Sequence, residues 1–253
     1  MSHLYLVCSH SCMSQMELPY LLNNSPELHG TSGVGQHWAT YELNGAPVDG
    51  ENGPLGTVRV HDDYWNLDSK DRNWYNFDIR NTMHITQQQV HDLLNISDRY
   101  GKIALLLHAH NVQDIYNWTR ELPVTLITTS IGEWESNIEY WAMREFNEIM
   151  QDDANANYST DNHNWPGIAG IVEAYMHRRN VDDNWRSLPC DIHVQQAQWQ
   201  RMPDLYNLWN HVGITAPETE WINSYHQEFQ SKQVYNTTLL TELRKAYEQH
   251  HLR

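Results

Sequence analysis

Apolar residues in this chain gather in short continuous runs more often than they alternate with polar ones. LYLVC, residues 4 to 8, is one such run, and the polar stretch SHSCMSQ separates it from a second apolar segment, MELPYLL. The order predicts strand, loop and helix, with Pro19 either in the first turn of the helix or at a local kink. KIALLLHAHN begins at Lys102, and its polarity returns abruptly at His108, His110 and Asn111; PVTLITTS, from Pro123, is a run of the same type. Continuous apolar strands belong to sheets covered by helices on both faces, so strands over 4–8, 103–108 and 124–128 are expected to lie parallel in one sheet.

Helical spacing fills the intervals. In ITQQQVHDLLNISDRYG, Thr86 and Gln89 form a capping box, Val90, Leu93 and Leu94 share a face, and Gly101 stands at the C′ position. A further helix is predicted over 112–119, and a long one over 133–150 carries Ile138, Trp141 or Ala142, Glu145 and Ile149 at helical spacing. GIAGIVEAYMHRR reads as helix, LPCDIHV as a short strand, and DLYNLWNHVG as a helix ended by Gly213. The C-terminal part is helical, with Trp221, Tyr225 and Phe229 on one stripe and Leu239, Leu240, Leu243 and Tyr247 on another. Repetition of strand, loop and helix gives the expected fold class, an α/β three-layer parallel sheet with helices on both faces. Residues 1–253 are read as one domain, with an irregular β excursion at about 30–63, where WATYEL and TVRVHD flank a Gly, Asn and Pro-rich loop. Residues 151–164 are the least apolar stretch and read as a loop or lid.

Charge narrows the function classes. With 32 acidic and 16 basic residues the formal charge is −16, so a nucleic-acid backbone meets a repelling surface and nucleic acid is not an expected partner. Mean hydropathy is −0.70, and no apolar run reaches the roughly 18 residues a membrane span needs. No basic n-region or small-residue cleavage site opens the chain, so a cytoplasmic protein is expected, with no membrane partner. Cys8, Cys12 and Cys190 are too few and too scattered for a disulfide framework and are expected to be reduced thiols. The 16 histidines predict a surface charge that shifts as pH falls through about 6.5.

Three places carry candidate chemistry. The turn Ser9-His10-Ser11-Cys12-Met13-Ser14-Gln15 follows a strand and precedes a helix, where unpaired N–H groups and the positive end of the helix dipole favour an anion. It has neither glycine nor lysine and so departs from the common phosphate loop. His108 and His110, two apart at a strand end, would share a face and could hold a divalent metal with a distant third ligand such as one from His61-Asp62-Asp63, although two close ligands alone make no site and no metal is expected. His177-Arg178-Arg179 offers bidentate anion contacts or a solvated helix end.

At the first of these places the chain resembles a known family. Hydrophobic strand, Ser-His-Ser-Cys-Met-Ser-Gln and helix resembles the nucleotide loop of sulfotransferases, usually Pro-Lys-Ser-Gly-Thr-Thr. Ser9 stands in the proline place, His10 in the lysine place, Ser11 in the serine place, Cys12 in the glycine place, and Met13 and Ser14 in the threonine places, with Gln15 next. PVTLITTSIGEWESNIEYWAMRE resembles the family's strand and helix with Arg-Asn-Pro-x-Asp-x-x-x-Ser, which help bind the 3′-phosphate of the nucleotide. Ser136 falls in the serine place, and Thr128 stands where the arginine would be. LPCDIHVQQAQWQRMPDLYNLWNHVGI is similar to the late strand and helix. The resemblance implies a P-loop, sulfotransferase-like fold. It implies transfer of a sulfuryl group from the nucleotide PAPS to a hydroxyl of a small-molecule or glycan acceptor. In that reading Ser9, Ser11, Cys12, Met13, Ser14, Gln15 and Ser136 hold the nucleotide, His10 supplies positive charge when protonated, and His108 or His110 is the base. Loss of the lysine, glycine and arginine motivates a second reading, a catalytically inactive P-loop-like binding protein. A metal-dependent hydrolase using His108 and His110 is a third.

Overall fold

The computed structural model describes residues 2–9, 17–28, 70–71, 74–79, 82–130, 184–195 and 202–231, with single or paired positions at 38–39, 42–43, 46–47, 59–60, 198, 241, 244–245 and 248–249. The chain divides into two compact units, one of Met1–His37, Val60–Gly132 and Asp182–Tyr225, the other of Trp38–Arg59, Glu133–Val181 and His226–Arg253.

The first unit is built on a sheet of four strands, β1 (His3–Cys8), β2 (Lys102–Leu107), β3 (Val124–Ser130) and β4 (Ile192–Gln195), ordered β2-β1-β3-β4. All three pairings are parallel, with His3 opposite Lys102, Cys8 opposite both Leu107 and Thr128, and Thr128 opposite His193. This is the α/β, all-parallel sheet expected from the apolar runs. With a strand on each side of β1, Leu4, Leu6, Val7 and Cys8 are all fully buried. A strand enclosed in this way has no polar face, so its sequence shows no alternation.

β2 is the outer strand of the described sheet, and its outward backbone groups need partners that no strand supplies. Side chains supply them. Asn23, the last residue of α1 (Glu17–Asn23), donates from Nδ2 to the Ala104 carbonyl at 2.9 Å and accepts from the Ala104 N–H at 2.8 Å. Two residues on, Tyr75 Oη accepts from the Leu106 N–H at 2.7 Å and donates to the Leu106 carbonyl at 2.5 Å. Tyr75 lies in the π-helical turn Trp74–Ile79 and is fully buried, as is Asn23. At the start of β4 the Asp191 N–H donates to the Leu126 carbonyl, and its carboxylate accepts from the Leu126 N–H at 2.7 Å.

The helices follow their sequence signals. In α2 (Gln87–Tyr100) the Thr86 hydroxyl accepts from the Gln89 N–H, and the Gln89 side chain accepts from the Thr86 N–H, completing the capping box. Gly101 ends it at φ 92°, a left-handed conformation that costs other residues most. Pro19 sits in the first turn of α1, where its missing N–H costs nothing. α3 (Val112–Thr119) links β2 to β3, and α4 (Met202–Val212) ends at Gly213, φ 80°. Trp209 of α4 is fully buried and donates from its indole N–H to the Leu21 carbonyl at 3.0 Å. Trp221 of α5 (Thr219–Ser231) meets Trp209 edge-on and stacks on Tyr225 at 5.5 Å, so these two residues of the predicted aromatic stripe pack on α1 and α4 through Tyr20 and Trp209.

Within the β excursion expected at about 30–63, Trp38–Ala39 pairs with Arg59–Val60, and Glu42–Leu43 pairs antiparallel with Ala46–Pro47. The helices expected over 133–150 and 167–179, the loop at 151–164 and the leucine stripe from Leu239 lie outside the described residues.

Removing either edge partner of β2 strands two buried backbone groups. Asn23→Ala and Tyr75→Phe should each lower unfolding free energy by about 2–4 kcal/mol in urea titrations. A loss under about 0.5 kcal/mol for both would show that the outer strand needs no side-chain partner.

A surface contact gives a pH-dependent test. The Glu27 carboxylate receives the Lys102 ammonium at 2.8 Å and the Thr215 backbone N–H and hydroxyl, which together hold its pKa down to about 2. Lys102 is correspondingly raised, first by its bond to Glu27. A depressed carboxylate contributes stability above the ordinary carboxylate range and loses it as pH falls toward the folded value. The gap in melting temperature between the parent and Glu27→Gln should therefore close from pH 5 to pH 2; a constant gap would mean the contact does not act through charge.

Candidate functional site

Strand order locates the site. The chain leaves β1 for β2 on one side, while β3 is followed by β4 on the other, so the carboxyl ends of β1 and β3 lie side by side at the point where the connections diverge. In open parallel sheets this is where ligands bind, because the loops part and leave a crevice. Cys8 and Ser9 end one of these strands, and Thr128, Thr129 and Ser130 end the other.

Alternation sorts these residues onto two faces. One face carries Leu107, Cys8, Thr128, Ser130 and His193, since Cys8 lies opposite Leu107 and Thr128, and Thr128 opposite His193. Here the His193 imidazole is clamped at both nitrogens, Nδ1 to Thr128 Oγ1 at 2.9 Å and Nε2 to Ser130 Oγ at 2.8 Å. A neutral ring donates from one nitrogen and accepts at the other, and the two hydroxyls rotate to match. His211 of α4 donates from Nε2 to the His193 carbonyl at 2.9 Å, tying β4 to the helix that follows. Burial pushes the Cys8 thiol up to about 12, so it is inert.

The opposite face carries Ser9, Thr129 and the position of His108. Ser9 extends the ladder, its N–H donating to the Leu107 carbonyl at 3.1 Å, which sets it beside the residue after Leu107 on one flank and the residue after Thr128 on the other. Ser9 is fully buried and Thr129 is 2% exposed, yet neither Ser9 Oγ nor Thr129 Oγ1 has a hydrogen-bond partner among the described residues. Every other buried serine or threonine among them is engaged. Ser25 accepts from the Glu27 N–H, Ser97 donates to the Gly101 carbonyl, Thr119 to the Ile115 carbonyl, and Thr128 and Ser130 hold His193.

Of the residues singled out in the sequence, the structure brings Ser9 and His108 to this edge. His110 is exposed and His108 half-buried. β2 stops at Leu107, and the His110 ring meets that of His84 edge-on at 6.4 Å. The turn is fixed by the His110 N–H donating to the Met83 carbonyl, and by Asn111, whose amide pairs with both backbone groups of Ile85. Among the described residues no group of three or more histidine, cysteine, aspartate or glutamate side chains surrounds a candidate metal position. His10, Ser11, Cys12, Met13, Ser14, Gln15 and Ser136 lie outside the described residues. Sequence reading missed Thr129 and His193. Both sit in predicted strands, but only the register of β4 on β3 shows that His193 meets two hydroxyls.

The thiols give a direct check of this geometry. Under native conditions at pH 8, iodoacetamide should alkylate Cys190, which is partly exposed, while the Cys8 peptide stays unmodified until denaturant is added. Equal labelling of both would show that the end of β1 is open to solvent.

Comparison with protein-family models, with curated proteins and with solved structures finds no match for this chain.

Proposed function

We propose that the chain is a sulfotransferase-like enzyme that moves a sulfuryl group from PAPS to a hydroxyl of a small-molecule or glycan acceptor, on a P-loop-derived form of its parallel sheet. The observation that carries the reading is the juxtaposition, at the switch point, of the strand end leading into Ser9–Gln15 with His108 at the end of the neighbouring strand. A nucleotide seated on the turn after β1 would present its terminal group close to His108.

In the step proposed, the acceptor oxygen attacks sulfur, the bond from sulfur to the bridging phosphate oxygen breaks, and adenosine 3′,5′-bisphosphate leaves. His108 takes the acceptor proton, and charge on the departing oxygens is met by N–H groups, serine hydroxyls and protonated His10. The resemblance assigns the 3′-phosphate to Ser136, which lies outside the described residues. The chain carries no lysine in the loop and no arginine at Thr128, which favours a slow enzyme or, as the second reading, a binding protein of the same fold.

Adenosine 3′,5′-bisphosphate in the low-millimolar range should raise the melting temperature, because a ligand that binds only the native state stabilises it. Transfer of labelled sulfate from PAPS to a panel of phenols, alcohols and glycans should fall about 100-fold or more in His108→Gln, the scale of losing a general base, with the bisphosphate shift retained. A thermal shift without transfer to any acceptor would favour the binding protein. No shift and no transfer would overturn both readings.

A further inference from the structure

Buried hydroxyls without partners are rare, because leaving water without a new hydrogen bond costs free energy that folding does not recover. Ser9 Oγ and Thr129 Oγ1 are two such groups, and they lie on neighbouring strands, on one face, at the carboxyl edge of the sheet. Several other buried polar side chains of the first unit are engaged. Asn23 and Tyr75 each pair two backbone groups of one residue of β2, and Thr128 and Ser130, one residue to either side of Thr129, both engage His193. Among the buried serines and threonines described, the two without a partner thus both lie at the switch point, and local departures of this kind gather at functional sites.

We infer that the Ser9 and Thr129 hydroxyls are a paired donor site for one oxygen-rich anionic group, a sulfuryl or phosphoryl group, whose oxygens supply the partners the fold withholds. Neutral hydroxyls suit this role, since they donate to an anion without placing a buried charge in the sheet when the ligand is absent. Their setting at the end of β1, between β3 and His108 of β2, places the bound group at the carboxyl ends of these three strands. The inference rests on the transfer reading for the role of the anion, and binding of the anion alone does not require turnover.

The test compares the parent with Ser9→Ala, Thr129→Val and the double variant, with Thr129→Ser as the conservative control. Melting temperatures are measured without additive and with millimolar sodium sulfate, sodium phosphate or adenosine 3′,5′-bisphosphate at matched ionic strength. Without additive the double variant should melt about 2–6 °C above the parent, because two unsatisfied hydroxyls are gone. At least one probe should raise the parent's melting temperature, and that response should weaken by about tenfold or more in apparent affinity in each single variant and return in Thr129→Ser. The probe that gives the response identifies the source of the anion: free sulfate, free phosphate or the nucleotide. A double variant that melts below the parent would show that the hydroxyls are structurally satisfied, by a buried water for instance, and would overturn the inference. So would a parent that answers none of the probes, or a response that the double variant keeps. Loss of the response in the variants, with no sulfuryl transfer by the parent, leaves the hydroxyl pair standing and overturns the transfer reading. Transfer by the parent that the double variant carries out undiminished does the reverse.

Discussion

A parallel sheet closed off from water must find a partner for each of its backbone N–H and carbonyl groups, and that requirement shapes the first unit of this protein. β1 meets it by having a strand on each side. The outer strand β2 cannot, and Asn23 and Tyr75 complete it from α1 and from the π-helical turn at Trp74–Ile79. Asp191 does the same for Leu126 where β4 begins. Each of these side chains holds a sheet position and anchors the segment that carries it, so the placement of α1, the 74–79 turn and the approach to β4 all follow from the hydrogen-bond needs of the strands.

The same requirement makes the carboxyl edge conspicuous. One face of that edge obeys it, with His193 joining β4 to β3 through two hydroxyls and Cys8 buried beside them. The other face leaves Ser9 and Thr129 without partners. Topology explains why an exception is tolerated there and nowhere else along β1. The connections diverge at this point, and strand ends that border a crevice are the places in such a sheet where a ligand can complete the pairing.

Electrostatics sets the style of recognition such an edge can use. A formal charge of −16 disfavours anions at long range, but at physiological salt screening limits that repulsion to about 8 Å, so local donors decide affinity. Hydroxyls and backbone N–H groups supply direction without net charge, and His108 is the titratable group that sequence analysis and sheet geometry both bring to this edge. Glu27 and Lys102 spend their charges on each other and on Thr215, at the start of β2 and so at the far end of that strand.

The continuous apolar runs at 4–8, 103–108 and 124–128 by themselves pointed to parallel, buried strands, observed at His3–Cys8, Lys102–Leu107 and Val124–Ser130, because a strand covered on both faces cannot carry a polar alternation. Thr86 with Gln89, Gly101 and Gly213 likewise set helix ends from local chemistry that needs no tertiary context. What the sequence could not determine were facts of register and order. β2 ends at Leu107 and Asn111 pairs its amide with Ile85, so the backbone path through His108 and His110 is set by contacts with residues 83–85 and not by strand alternation. Thr129 and His193 carry no motif; their neighbours are set by the step of β3 against β1 and of β4 against β3, and a shift of one residue would exchange the faces on which they stand. Strand interiors and caps are legible because a few adjacent residues decide them, whereas the site is assembled from residues more than 60 positions apart, and only the folded sheet brings those together.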